Sequence, residues 1–407
     1  HRHLQQIPQS GVLLDALNFA PTPPRSCIKV HGAVLRVKLM SPIILIHGNN
    51  SDGGFFDRQG FRAGLDAARL VWDNTISIVT DTRSANGKEL ARRLPIISTV
   101  FGVDSVHIVA HSKGGLDMRE YLERFYSYDT MCFVNGTLGS SCSRDTPCSD
   151  PNAVCRRPFT LLSLTTLSTP HDGSVLADIV VARQYAAEQS NLVWFSGLSQ
   201  FTNAYAKINA GGKGYPDLQT SNCALFNQSN VPFLTTLMEE TRFFAVGADA
   251  DKNSSEHINA ATDACYGVVT FVGPDEVDGL QQESTALNVT YAGCPSKAAS
   301  FVDQAYQAVR STQAVSLSYR IEMSPLGVPM LVIATLAPIP SNGPKLNDTL
   351  VTINSAVGKG GYKSVLSGKA QLTRGAGRNH ATIADSNMAA FVSKWIKAAE
   401  KDVGDLR

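Results

Sequence analysis

The stretch Val106-His107-Ile108-Val109-Ala110-His111-Ser112-Lys113-Gly114-Gly115, followed by Leu116 to Phe125, decides how this chain is read. An apolar, β-branched run enters a small-x-Ser-x-Gly turn, and a helical pattern follows at once. That strand–turn–helix passage is what a nucleophile elbow requires. The turn is so tight that the positions two before and two after the serine must be small, here Ala110 and Gly114. Its strain lifts the Ser112 hydroxyl clear of the sheet edge, at the start of the next helix. There the helix dipole and free N–H groups favour developing negative charge. Ser112 is therefore the candidate nucleophile.

Outward from the elbow, strand and helix patterns alternate. Ala33 to Lys38 and Ile43 to Ile46 are β-branched runs, and the second ends in the Gly-rich loop His47 to Gly54. Phe61 to Ala68 reads as helix, Thr75 to Val79 as strand and Lys88 to Val100 as helix. Beyond the elbow, Leu161 to Leu167 and Arg242 to Gly247 read as strands, Leu350 to Ile353 as a strand-like unit, and Met388 to Lys401 as a closing helix. Strands alternating with helices predict βαβ units and a mostly parallel, doubly wound α/β sheet. Residues 1–30, with Pro21, Pro23 and Pro24, read as an irregular lead-in. The core then spans 31–250, with a helical, lid-like insertion at about 175–235 that carries the apolar patch Trp194 and Phe195. Residues 251–340 lose the rhythm and read as a disulfide-containing insertion with one helical stretch, Lys297 to Val309. Residues 341–407 return to the core pattern.

Composition narrows the class. Hydrophobic residues make up 43%, charged residues 17%, and the formal net charge is +1, so a large core is affordable and nothing points to nucleic acid. No run of 18 apolar residues occurs, so no membrane span is expected. Eight cysteines, at 27, 132, 142, 148, 155, 223, 265 and 294, contain no C-x-x-C pair, and three of them cluster in a Ser/Asp/Pro/Asn-rich loop. An even count placed in loops predicts disulfides and an oxidising, extracellular compartment.

A serine nucleophile needs an imidazole to take and return its proton and a carboxylate to hold that imidazole. On such a sheet the chain order is Ser, acid, His. Downstream of Ser112 stand His171, His257 and His380. His380, in a Gly-rich loop just before the last helix, is the candidate base. His171 ends a core strand and is expected to be structural, and His257 to be solvated. For the acid, order admits Asp348, Asp278, and Asp249 or Asp251, with Asp348 favoured by the strand-like unit between it and His380. Asp249, Asp251 and Asn253 also put oxygen ligands at alternate positions, which is the one hint of Ca²⁺. No cofactor or metal is otherwise expected.

Several of these segments, in order, resemble the secreted bacterial lipases and esterases of the α/β-hydrolase superfamily. Ile44-Leu45-Ile46-His47-Gly48 is similar to the family's oxyanion-loop strand, and Ala110-His111-Ser112-Lys113-Gly114-Gly115 to its nucleophile motif in the Ala-first variant. Ser168-Thr169-Pro170-His171-Asp172-Gly173-Ser174 resembles its Pro-His-x-Gly-Ser segment. Asp217-Leu218-Gln219-Thr220 with Phe226-Asn227 resembles the segment ahead of Phe243 to Gly247. Asn347-Asp348-Thr349-Leu350-Val351 with Ser355 resembles the signature that carries the acid, with Thr349 where the signature has Gly. The resemblance implies an α/β-hydrolase fold with lid or cap insertions and a Ser112–His380–Asp348 triad. It also implies oxyanion N–H groups from Asn49 and Lys113, whose side chains are not needed for that role; the Lys113 side chain is free to be a solvated surface lysine. The substrate implied is a lipid ester met at a lipid–water interface. A polyester depolymerase, an acyl transferase to alcohols and a catalytically silent binding protein are the other readings. Six N-x-[ST] sequons occur, at Asn49, Asn135, Asn227, Asn253, Asn288 and Asn347, and glycans at Asn49 or Asn347 would crowd such a site.

Overall fold

Five apolar runs pair edge to edge in a computed structural model of the chain: Ile43–Ile46, Trp72–Asp73, Ser105–His111, Thr160–Leu167 and Arg242–Val246, here β1 to β5. The structure describes residues 25–30, 33–38, 40–49, 51–78, 81–126, 130–134, 137–142, 154–178, 181, 214–238, 240–250, 306–307, 309–323, 329–343, 345–358, 375–376 and 378–404. Strand order is β2-β1-β3-β4-β5 and every pairing is parallel. The chain winds one way from β1 to β2, then crosses back past β1 to β3. Sheets of this order bind ligands beyond the carboxyl ends of the strands, where the winding reverses. Here that crevice lies between His47-Gly48-Asn49, which follow β1, and Ser112, which follows β3.

Helices Phe61–Ala67, Arg83–Phe101, Lys113–Tyr121, Thr220–Leu237 and Ser386–Gly404 (α1 to α5) cover the sheet. Alternate strand residues face opposite ways. Ile44, Ile46, Val106, Ile108, Ala110, Phe243 and Ala245 pack with Leu90, Leu94, Met118, Leu234 and Leu237 of α2, α3 and α4. Ile43, Leu45, Val109, Phe244 and Val246 pack on the other side with Phe61 and Leu65 of α1 and Met388, Val392, Trp395 and Ile396 of α5. A sheet covered on both faces needs apolar runs rather than alternation, which is why the strands read so plainly. Each such buried side chain contributes roughly 1.5–3 kcal/mol of transfer free energy.

Several sequence expectations are corrected. The described part of the expected strand at 75–79, Thr75 to Ile78, is not a strand: the ladder with β1 uses Trp72 and Asp73, and the Ile78 N–H instead donates to His47 Nε2 at 3.1 Å. Leu350 to Ile353 is a turn leading into a short helix, Ile353–Ala356, because the Leu350 and Val351 N–H groups are taken by the Asp348 carboxylate. Within the lead-in, Arg25–Val30 forms an antiparallel hairpin with Ala33–Lys38. Within 251–340, Thr312–Met323 and Pro329–Pro340 form a long antiparallel hairpin. Its signal was present, since Val315, Leu317, Tyr319, Ile321 and Met323 alternate with polar residues. Helix α2 starts five residues ahead of its expected beginning, because Thr82 caps it by accepting the Ala85 N–H and Asp217 accepts the Arg83 N–H. Cys223 is a free thiol in α4, so the eight cysteines do not all pair. Burial pushes its pKa up to about 12 and makes it a poor nucleophile.

Candidate active site

Ser112 sits at φ +53° and ψ −133°, a conformation that L residues rarely adopt, with its N–H donated to the Leu167 carbonyl at 2.9 Å. The turn leaves no room on either side. A methyl at Gly114 would lie 2.3 Å from the His47 carbonyl oxygen, and one at Gly115 would lie 2.2 Å from Thr169 Oγ1. A methyl at Gly48 would come 2.5 Å from Ser112 Cβ and 3.1 Å from its Oγ. Glycine at 48 and 114 lets the loop after β1 close on the serine, and glycine at 115 lets Thr169, after β4, pack against the start of the next helix.

His380 bridges Ser112 and Asp348. Its Nε2 is 2.7 Å from Ser112 Oγ and its Nδ1 is 2.9 Å from Asp348 Oδ2. A carboxylate only accepts, so Nδ1 carries the proton and Nε2 is left to accept the serine hydroxyl. The Asp348 Oδ1 accepts the N–H of Leu350 (3.0 Å) and of Val351 (2.7 Å), so the fully buried carboxylate is held by three donors. The loop of His380 is pinned by Asn379, whose Oδ1 accepts the N–H groups of Ala381 (2.9 Å) and Thr382 (2.8 Å). These bonds fix the backbone that presents the imidazole.

The acid loop is clamped by the segment after β4. Ser174 Oγ donates to the Leu350 carbonyl at 2.5 Å, Ser355 Oγ donates to the Gly173 carbonyl at 2.6 Å, and the His171 N–H donates to the Ser355 carbonyl at 3.1 Å. Thr349 lies at φ +88°, a left-handed conformation strained for a β-branched residue. Its N–H is held by Asn347 Oδ1 at 2.9 Å. Both Nδ2 hydrogens of the fully buried Asn347 are used, toward the Tyr306 (3.1 Å) and Lys345 (3.0 Å) carbonyls. A glycan there is incompatible with the folded site.

Of the remaining site candidates, Lys113 begins α3, where the first N–H groups have no partner inside the helix. Its side chain is not solvated, as the sequence allowed, but fully buried, with Nζ donating to Asp117 Oδ1 at 2.5 Å. Burial pushes Asp117 up to about 6 against the pull of Lys113. Asn49 lies beside it: a methyl at Gly214 would touch Asn49 Oδ1 at 2.8 Å and Lys113 Cε at 2.9 Å. His171 binds away from the serine, accepting from Arg119 Nη1 at 3.1 Å and donating to Thr166 Oγ1 at 3.0 Å. Asp249 is fully buried in a strand paired with Gly375–Ala376. Trp194, Phe195, Asp251, Asn253, His257 and Asp278 lie outside the described residues. Among the described residues no three His, Cys, Asp or Glu side chains gather as a metal site.

His111, beside the nucleophile, was not singled out by sequence reasoning. Its Nε2 donates to the His380 carbonyl at 2.6 Å, and its ring stacks on Phe55 with centroids 4.3 Å apart. Burial, and then the nearby His380, keep its pKa well below the ordinary histidine value. His47 is likewise held neutral by burial, and His171 by burial and the Arg119 charge.

The parallel sheet of reversing strand order, the serine elbow after its central strand, and the later acid and histidine together define an α/β-hydrolase fold. No protein-family model and no curated protein matches the sequence. Solved structures similar to the chain include the mature form of the Bacillus licheniformis lipase BlEst2, at 15% identity over 88% of this chain and 91% of that one, with a TM-score of 0.45. Lipase 1 of Pelosinus fermentans is 15% identical over 88% of this chain and 98% of its own, with a TM-score of 0.46. Likeness of this degree carries no weight for chemistry; the contacts of Ser112, His380 and Asp348 do.

Two outcomes follow from this geometry. Thr349→Gly relieves a strain of about 1–3 kcal/mol and gives back roughly 1 kcal/mol in backbone entropy. The net is a gain in stability of up to about 2 kcal/mol without a change in turnover, and a lowered Tm would contradict the strain. Because His47, His111 and His171 are held neutral when folded, the unfolded chain binds more protons below about pH 6.5, and stability is lost as pH falls below that value. Asp117, raised to about 6, and Asp178, also raised by burial, act in the opposite direction, two groups against three. Thermal melts should therefore drop between pH 6.5 and 5 and stay level above 7, and His171→Gln should shrink the drop.

Proposed function

We propose that this protein is a secreted carboxylic-ester hydrolase of lipase or esterase type, working through a Ser112–His380–Asp348 triad and an acyl-enzyme. The observation that carries this reading is the continuous relay from Asp348 Oδ2 through both nitrogens of His380 to Ser112 Oγ. Ser112 Oγ attacks the ester carbonyl as its proton passes to His380 Nε2. Asp348 stabilises the imidazolium that results. The N–H groups of Lys113 and Asn49 receive the oxyanion. Collapse of the tetrahedral adduct breaks the bond to the alcohol, which leaves with the proton from His380. Water then repeats the sequence in reverse and releases the acid.

A lipid ester met at a lipid–water interface is the proposed substrate. No helix among the described residues is long and apolar enough to cross a membrane. The extracellular placement rests on the cysteine cluster, in which Cys142 and Cys155 lie in strands rather than the expected loop and Cys132 stands opposite Cys155 in the antiparallel ladder of Thr130–Val134 with Val154–Arg156.

Turnover of short- to long-chain acyl esters tests the reading. Ser112→Ala should lose at least about 10⁴-fold in kcat, and Asp348→Asn a comparable factor by leaving His380 in the wrong tautomer. Asp278→Asn should stay near wild type. Full activity in Ser112→Ala would overturn the triad, and a dominant loss in Asp278→Asn would move the acid.

A further inference from the structure

The three members of the relay are tied together by bonds that take no part in proton transfer. The His380 backbone N–H donates to the Asp348 carbonyl at 2.9 Å, which anchors one side of the base to the residue that supplies the acid. The other side is anchored by His111, whose Nε2 reaches the His380 carbonyl across 269 positions of sequence. His111 is the residue immediately before Ser112, so this bond fixes the base directly to the strand that carries the nucleophile.

We infer that His111 is a positioning residue that sets the distance and angle between His380 and Ser112. This inference rests on the proposed roles of Ser112 and His380. A carbonyl can only accept, so His111 must hold its proton on Nε2, leaving Nδ1 bare. Nδ1 is fully buried and has no hydrogen-bond partner among the described residues, so none of them draws the ring into another orientation. Phe55 stacks on the ring at 4.3 Å and 23°, and the His380 ring leans over it at 4.9 Å and 53°. The charged and titratable groups facing it are His380 and His47, both histidines. Its own burial, and then the neighbouring His380 ring, disfavour charge on His111, so it stays a neutral donor while His380 takes and returns a proton. A charged His111 beside an imidazolium would oppose the transfer that the site needs.

The test compares His111→Leu, which removes the donor, with His111→Gln, which keeps an N–H at similar reach, on a soluble p-nitrophenyl butyrate substrate well below each variant's Tm. His111→Leu should lower kcat about a hundredfold while KM stays within about twofold, as expected when a reacting pair is displaced by up to an ångström. The acid limb of its kcat/KM profile should move to lower pH, because a loosened His380–Asp348 bond stabilises the imidazolium less. His111→Gln should recover kcat to within about fivefold of wild type and restore the limb. If His111→Leu does not fold, His111→Asn takes its place, since its shorter amide falls short of the carbonyl. Wild-type kcat in the donor-less variant, or equal losses in the Gln and donor-less variants, would overturn the inference while an inactive Ser112→Ala leaves the triad standing. An active Ser112→Ala would overturn both.

Discussion

The backbone of Ser112, held at φ +53°, is the constraint on which the rest of the site depends. A non-glycine residue there costs about 1–3 kcal/mol and persists only where the surroundings over-determine it. They do so here from three sides. The Ser112 N–H is fixed to β4 through Leu167, the loop after β1 closes on it through Gly48, and α3 leaves it through Gly114 against His47. Relaxing any of these lets the serine fall back toward an ordinary strand conformation and takes its hydroxyl away from His380.

The helix that follows the serine is unusual in being buried throughout, with Lys113, Asp117, Arg119 and Glu120 among its nine residues. Charges in such a place need partners. Lys113 has Asp117, Asp117 also accepts from Asn86 at 2.9 Å, and Glu120 meets Arg83 and Arg124. Arg119 donates to Asn230 (2.8 Å) and Asn227 (2.6 Å) of α4. The polar network therefore stitches α2, α3 and α4 together beneath the elbow. It lets one end of α3 stay fixed while its dipole faces the crevice. The 175–235 stretch, read from sequence as lid-like, contributes most of α4 to the core packing, through Leu234.

The histidines divide by environment rather than by sequence context. His47 holds its own loop through the Gly48 carbonyl (2.8 Å) and the Ile78 N–H. His171 is pressed into neutrality beside Arg119, and His111 beneath His380. Of these four, His380 alone lies between a carboxylate and a hydroxyl, the two partners that give an imidazole both a fixed tautomer and a proton to accept. His107 has partners of the same two kinds, Ser163 Oγ at 2.7 Å and Glu400 Oε1 at 3.4 Å, but neither is the elbow serine.

The sequence by itself determined the parallel sheet, the elbow at Ser112, and the order of Asp348 and His380 behind it. Those signals are local: apolar runs fill both faces of a covered sheet, and a tight turn permits only small neighbours such as Ala110 and Gly114. Residues alone favoured Asp348 only mildly over Asp278, Asp249 and Asp251, because a carboxylate becomes an acid partner by distance to an imidazole, which chain order does not encode. Tertiary structure alone showed that Asp348 diverts the Leu350 and Val351 N–H groups from the strand their alternation suggested. It also buried Lys113 and made His111 the tether of His380. The last two come from burial and from a contact between segments more than a hundred residues apart, and the first from a side chain competing for backbone N–H groups; none leaves a periodic trace in the chain. What a stretch can form is written locally; what a side chain does there is set by what packs against it.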